Sequence, residues 1–401
     1  MRVYAVWAAL LLCLLLCGAA RAEGDIAAEL TKDCAFSVSY HRDQLSRLTD
    51  ADYCTIWQGA RQSWVEMTLP EEKPCYGLYI CFGKTLTDWA IQAQNSDGTW
   101  ETVYTPEDTF YHQYVPLSGQ THMRIYSCPQ KPKQPLAISE IHLLGKGTLP
   151  SWVQVWHRLE GKADLMVVAA HPDDEYLFMG GTIPYYAGEL KKEVLVVYVA
   201  DTHSRRKSEL LDGLWHCGVR DYPELGTMID YRPISLQKLY RLWSVGQLRK
   251  RITRLIRKHR PDVVVTHDVK GEYGHAAHQA AADACKKCLL LAQDSCYDEK
   301  SAAEYGTWQI PKLYLHLYKD RQMHMDWQKP LPSFSGRTAL QVAEDAFKLH
   351  ISQQHGKHNM RNAARYDPGL FGLYHSTVGP DEIRNDFFEH LPSAVGILDA
   401  D

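Results

Sequence analysis

Beyond residue 22 the sequence has no apolar run approaching the roughly 20 residues that a membrane-spanning helix needs, so no helical span is expected there. It also lacks a basic surplus. Its 44 Lys and Arg stand against 48 Asp and Glu, a formal net charge of -4, which gives no ground for a nucleic-acid partner. Internal repeats and low-complexity tracts are absent, which excludes solenoid and disordered-linker readings. Cys285-Lys-Lys-Cys288 has no second CxxC to complete a zinc knuckle, and it sits in an alanine-rich helical stretch. What is present is ordinary globular material. Apolar residues at 45% supply a core, and 401 residues are too many for one ordinary domain, so two are expected.

The first 22 residues differ from the rest. Arg2 precedes an apolar run from Val6 to Cys17, and Ala20-Arg21-Ala22 offers a small-x-small cleavage site, so a secretory signal peptide is expected over residues 1–22. A retained anchor, or a lipoprotein signal ending at Cys17, are the alternatives. Export would place the mature protein outside the cytosol. Of its cysteines, Cys34, Cys54, Cys75, Cys81 and Cys128 fall in the first half, where one or two disulfides are then expected.

From Cys34 to Gly145, short apolar runs alternate with turn signals. "YGLYICF", "DWAIQAQ", "WETVY", "HMRIYSC" and "ISEIHLLG" read as strands, and Asp97-Gly98 as a hairpin turn, which predicts an all-β sandwich over residues 23–150. "LTDADYCTIW" (Leu48 to Trp57) and the closing "ISEIHLLG" resemble the first and last segments of discoidin-like, galactose-binding-like domains. That resemblance implies sugar binding by loops at one end. Trp57, Trp89 and Trp100 either stack on a sugar or fill the core, the commoner use of aromatics in such a sandwich.

The period changes after the proline-punctuated stretch that ends near Gly145 to Ser151. Buried-strand candidates Leu165 to Ala170, Val194 to Ala200 and Val263 to Thr266 alternate with helical segments Ser204 to Cys217, Gln247 to His259 and His275 to Leu291. That alternation predicts an α/β, Rossmann-like catalytic domain with a mainly parallel sheet over residues 151–401, its site at the carboxyl ends of the strands.

Two stretches fall at such strand ends. "MVVAAHPDDEYLFMGG" carries His171, Asp173, Asp174 and Glu175. An acid-rich helix start explains one or two of these carboxylates, but not the histidine. "PDVVVTHDVKGEYGHAAH" places His275 and His278 three apart at a helix start, on neighbouring parts of one face. Imidazole and carboxylate groups converging with one position left open are what a catalytic Zn²⁺ requires, and Fe²⁺ or Co²⁺ suit the same donors.

These residues resemble the PIG-L/LmbE-like zinc-dependent deacetylases, which remove acetyl groups from N-acetylglucosaminyl compounds. The matching motifs are "AHPDDE" (Ala170 to Glu175), Gly180-Gly181, Arg206 with Glu209, Gly218-Val219, "PDVVVTHD" (Pro261 to Asp268), "YGHAAH" (Tyr273 to His278) and "HISQ" (His350 to Gln353). The resemblance implies Zn²⁺ ligation by His171, Asp174 and His278, with Asp173 as general base and His275 as general acid. It further implies that Tyr273 donates to the oxyanion, and that Arg206 and His350 contact an N-acetylated sugar or glycan. A solvated helix face is the alternative for Arg206, and a packed interior position for His350. Glu175 either orients a ligating histidine or is only a first-turn acid.

The chain departs from the family at Ala276-Ala277, where relatives commonly carry proline and aspartate. The stretch between Ala292 and Leu340, which includes "YLHLYKDRQMHMDWQ" (Tyr314 to Gln328), has no close counterpart and is expected to shape access for the substrate. An exported deacetylase of acetamido sugars is the favoured function. An amidase on another N-acyl group, and a glycan-binding protein with an inert second half, are the alternatives.

Overall fold

A computed structural model of the chain describes residues 25–86, 88–127, 135–232, 235–354 and 365–392. The expected signal segment, Cys128, His355 and His358 lie outside the described residues. The chain forms two compact units. Of the described residues, one unit comprises those up to Ile80 with those in Leu86–Thr109 and Tyr114–Val153; the other comprises Cys81–Thr85, Phe110–Gln113 and those from Gln154 onward.

Among the described residues, nine strands belong wholly or mainly to the first unit: β1 (Ala35–Val38), β2 (Trp57–Gln58), β3 (Trp64–Thr68), β4 (Cys75–Phe82), β5 (Trp89–Gln94), β6 (Trp100–Tyr104), β7 (His112–Gln120), β8 (His122–Ser127) and β9 (Ala137–Leu144). They form a five-stranded sheet in the order β1-β3-β8-β5-β6 and a four-stranded sheet in the order β2-β9-β4-β7. Strand β8 shows the cause: alternate residues Met123 and Ile125 are buried, while Arg124 and Tyr126 on the other face are partly exposed. The hairpin between β5 and β6 turns at Asn95 to Thr99, with Gly98 at φ 84°, a conformation that glycine adopts without strain.

Two of the three tryptophans whose use the sequence left open fill the core. Trp57 and Trp89 are buried core residues. Trp100 is partly exposed, with the Arg124 guanidinium 4.1 Å above its ring. Cys34 and Cys75, expected among the candidates for disulfides, carry free thiols.

The second unit is organised by one sheet. Its strands are β10 (Leu165–Ala169), β11 (Val194–Tyr198), β12 (Val263–Thr266), β13 (Lys312–His316), β14 (Gln322–His324) and β15 (Leu370–Ser376), in the order β11-β10-β12-β13-β15-β14. The first four are mutually parallel, and β15 runs antiparallel to both β13 and β14. Strands β10, β11, β12 and β13 are buried along their whole length, as strands covered on both faces must be. Their apolar residues feed two cores, one holding Leu165, Val167 and Val265, the other Met166, Val168 and Val264.

Among the described residues, seven helices accompany these strands: α1 (Asp174–Leu177), α2 (Ser204–His216), α3 (Leu236–Leu242), α4 (Val245–His259), α5 (Ala276–Leu291), α6 (Glu299–Tyr305) and α7 (Ala339–Lys348). Local signals set their ends. Ser244 caps α4 by accepting from the Gln247 N–H, and Arg257, Lys258 and His259 oppose the dipole at its far end. Thr338 and Gln341 form a reciprocal capping box on α7. "YLHLYKDRQMHMDWQ" supplies most of β13, which is buried, and all of β14, the edge strand of the same sheet.

Candidate active site

Strand β10 pairs with β12 in register, Leu165 opposite Val263, so their carboxyl ends lie side by side. The Thr266 hydroxyl donates to Val168 O at 2.8 Å and tightens that junction. After β10 the chain continues into His171 to Glu175; after β12 it continues into His267, Asp268 and the turn leading to His275 and His278. Both sequence motifs therefore meet at the strand ends of one parallel pair, the position expected for an α/β sheet.

The turn after β10 separates the two aspartates. Asp173 sits at φ 103°, outside the comfortable range of a residue with a Cβ, and α1 lasts only one turn. The consequence is divergent side chains. Asp174 Oδ2 accepts from the His171 backbone N–H at 2.7 Å and lies 3.1 Å from His171 Nδ1, while its Oδ1 is 3.3 Å from His278 Nε2. Asp173 Oδ1 instead faces Arg206 Nη2 at 3.1 Å.

Glu175, without an assigned role in the sequence, is fully buried under this turn. It accepts from the Asp173 N–H at 2.8 Å and from the Tyr198 hydroxyl at 2.6 Å. Gly180 and Gly181 follow because the backbone passes against Trp327; a Cβ on Gly181 would stand 2.5 Å from that of Ala339.

His275 is the N-cap residue of α5, and His278 lies in its first turn. The His275 ring is 4.9 Å from that of His171 and 4.5 Å from that of His278. Tyr273 is half-exposed, its ring 5.6 Å from His275 and 5.5 Å from His278. Arg206 projects from α2 and also donates to Pro172 O at 2.6 Å. His350 is wholly buried, packed against Tyr176 and Phe347, with Nε2 4.0 Å from Glu175 Oε1. The interior alternative describes its setting, because the side chain has no exposed surface to offer a substrate.

Charges in the cluster offset one another. Burial works against ionisation of Asp174, but His278 and His171 outweigh it and hold the carboxyl well below its usual range. Burial likewise opposes a charge on His278, yet Asp174 and Glu272 push its pKa up to about 10. Asp173 is pushed up to about 7, chiefly by burial, with Arg206 pulling the other way. For His275, burial and the neighbouring His278 and His171 bring the pKa down to about 3.

The residues present fit a divalent metal ion. Donor atoms of His171, His275 and His278 lie within 4.8 Å of one another, and so do those of Asp174, His267 and His278. His278 Nε2 is buried and has no hydrogen-bond partner among the described residues, as has His275 Nδ1. His267 is a poorer ligand than its place in that group suggests. Its Nε2 already accepts from the Ala170 N–H at 2.9 Å, so that lone pair is engaged. His171 Nδ1 and His278 Nε2 both lie beside Asp174, 3.1 and 3.3 Å from its two carboxylate oxygens, and a cation there would replace the proton that His278 otherwise retains.

Two acids at the site have no signal in the motifs. Asp230 Oδ1 lies 3.4 Å from His171 Nε2, and the Glu272 carboxylate meets His267, His278 and His316. Cys285 and Cys288 take no part: Cys288 is buried in α5, bonded to Thr253 and to Arg249 O.

With that geometry in view, residues 166–289 match the family described as GlcNAc-PI de-N-acetylase. That segment is similar to PIG-L. Its curated relatives include the 1D-myo-inositol 2-acetamido-2-deoxy-alpha-D-glucopyranoside deacetylase 1 of Catenulispora acidiphila, 29% identical over 179 residues, which are 37% of this chain and 54% of that protein. The chain spans a little over half the length of the first such relatives it matches. Among solved structures, the N,N'-diacetylchitobiose deacetylase of Pyrococcus horikoshii aligns at a TM-score of 0.36 and 18% identity, covering 48% of this chain and 71% of that one. The Clostridium perfringens module CpGH89CBM32-4, solved with GlcNAc-α-1,4-galactose, aligns at 0.26 and 18% identity, over 30% of this chain and 94% of that one. The PIG-L match holds His171, Asp173, Asp174, Arg206, Tyr273, His275 and His278; His350 falls outside it.

Proposed function

We propose that the protein is an exported, metal-dependent deacetylase that hydrolyses the acetamide of an N-acetylated amino sugar or glycan. The observation that carries this reading is the buried His171-Asp174-His278 cluster, with His278 Nε2 unpartnered and Asp173 directed elsewhere. A divalent ion on those three residues, Zn²⁺ by the donor types, supplies a Lewis acid that acidifies water and polarises the acetamide carbonyl.

The remaining work belongs to the chain. Asp173, fixed by Arg206 and by the Glu175 bond to its backbone, takes a proton from the water that attacks the carbonyl carbon. Tyr273 donates a hydrogen bond to the oxygen that gains negative charge. The carbon–nitrogen bond then breaks as the proton taken up by Asp173 passes to the departing amine by way of His275, whose neutral ring receives one proton as it gives another, leaving acetate and the free amino sugar. Arg206 meets the substrate only beside Asp173, since its guanidinium is already bonded there. The sandwich unit holds the surrounding glycan through its loops, so that even weak contacts raise the local substrate concentration.

The test is acetate release by the purified protein from N-acetylglucosamine and from N-acetylated oligosaccharides, with Zn²⁺, Co²⁺ or Fe²⁺ supplied. Acetate is expected from at least one sugar, with about one equivalent of metal bound. Absence of release across the panel under all three metals would overturn the reading.

A further inference from the structure

Glu272 occupies the turn between β12 and α5, and its backbone is at φ 52°, between Gly271 at 69° and Gly274 at 94°. Backbone preference favours glycine or asparagine at such a position, because a Cβ there costs about 1 kcal/mol or more. A glutamate must therefore be explained by its side chain. That side chain is fully buried.

Its carboxylate is saturated. Oε2 meets His278 Nδ1 at 2.6 Å, Oε1 meets His316 Nδ1 at 2.9 Å, the Asp268 N–H donates to Oε1 at 3.0 Å, and His267 Nδ1 lies 3.2 Å from both oxygens. Ala276 and Ala277, between the two motif histidines, have no polar side chain to perform any of this.

The bonding fixes which nitrogen of His278 is free. An ionised carboxylate only accepts, so His278 must present Nδ1–H to it, and its lone pair is then on Nε2. Nε2 is the atom 3.3 Å from Asp174 Oδ1 without a hydrogen bond of its own. His267, whose Nε2 accepts from Ala170, must likewise present Nδ1–H to Glu272, so the same carboxylate keeps that ring out of the ligand set.

We propose that Glu272 is the positioning residue of the metal centre. It orients His278 from the loop, so that Nε2 is presented to the ion, and it holds His267 in the tautomer whose Nε2 is engaged by the Ala170 N–H. This rests on reading the His171-Asp174-His278 cluster as a metal site.

The test uses the full-length protein with Zn²⁺ or Co²⁺ alone, so that no turnover is needed. Zn²⁺ affinity is measured by competition with a chromophoric chelator, Co²⁺ coordination by its visible spectrum, and the rise in melting temperature on adding metal by calorimetry. Glu272→Ala is expected to weaken metal binding about 10- to 100-fold and to shrink the metal-induced rise in melting temperature. Glu272→Gln should also weaken it, because a side-chain amide can donate to Nδ1 and favour the wrong tautomer. His316→Gln, which removes a neighbour of Glu272 and leaves the His278 contact, should stay within a few-fold of the parent. The proposal is overturned if the Glu272 variants bind metal like the parent. It is equally overturned if both lose their folded circular-dichroism signal before metal is added, since the carboxylate would then be a determinant of the fold. A parent protein that binds no metal would instead remove the reading on which the proposal rests.

Discussion

Asp173 holds a backbone conformation that few residues tolerate, and it does so inside a buried cluster of charge. Such strain persists only where the surroundings enforce it, here through Glu175 from below and Arg206 from the side. Asparagine accepts positive φ more readily than most residues and adds no buried charge. Asp173→Asn is therefore expected to unfold at the same or a higher denaturant concentration while losing turnover about 10²- to 10⁴-fold and keeping its metal. Denaturation, acetate release and metal analysis on one preparation decide it; a variant that loses stability and metal together would make Asp173 a structural residue. The acids and histidines of the two motifs were legible in the sequence because they stand beside strand ends at fixed local spacing. Glu272 and Asp230 were not. Their role depends on which imidazoles the fold brings to them, and no local spacing records that.

Helix and strand identity was legible where one face or both faces are apolar. "WETVY" is strand β6 residue for residue, Val263–Thr266 is β12, and the three long helices of the second unit start and stop within two residues of their expected ends. Strands β13 and β15 were missed because nothing in their own sequence fixes their neighbours; they pair with each other across more than fifty intervening residues. Arg257 is a second long-range feature without a local signal. Buried in α4, it donates to the carbonyls of Leu291, Ala292, Asp294, Tyr297 and Asp298 and to the Ser301 hydroxyl, gathering the whole connection between α5 and α6. Arg257→Met leaves those acceptors buried and unpaired and is expected to cost about 3 kcal/mol or more. Arg257→Lys should recover little of it, since an ammonium cannot reproduce the planar fork. Urea unfolding of the two variants measures both statements; a loss under about 1 kcal/mol would show that water satisfies the connection without the arginine.

For the whole molecule, the boundary read near Gly145 to Ser151 is a proposal about where the chain can be cut, and the packing bears on what a cut would do. Phe110–Gln113 precede that boundary by some forty residues, yet they cluster with the second unit. Phe110 is buried in that unit's core with its ring 4.5 Å from Tyr222, the Tyr111 N–H donates to the Tyr222 hydroxyl at 3.1 Å, and His112 Nδ1 lies 3.0 Å from Gln154 Oε1. Trp156 closes on the other side of Tyr222, in a T-shaped contact at 5.7 Å. Residues 154–401 alone would expose Tyr222 and Trp156 and leave Gln154 without its histidine. The point variant isolates this effect from loss of the sandwich itself. Phe110→Ala is expected to lower the stability of the second unit by about 3 kcal/mol, the cost of emptying a buried phenylalanine site. Metal release during denaturation follows that unit directly, because its proposed ligands all lie within it. A release midpoint unchanged by Phe110→Ala would mean that the strand connection carrying Phe110 contributes nothing to the metal-bearing unit, and residues 151–401 could then be assayed alone as an independent catalytic domain.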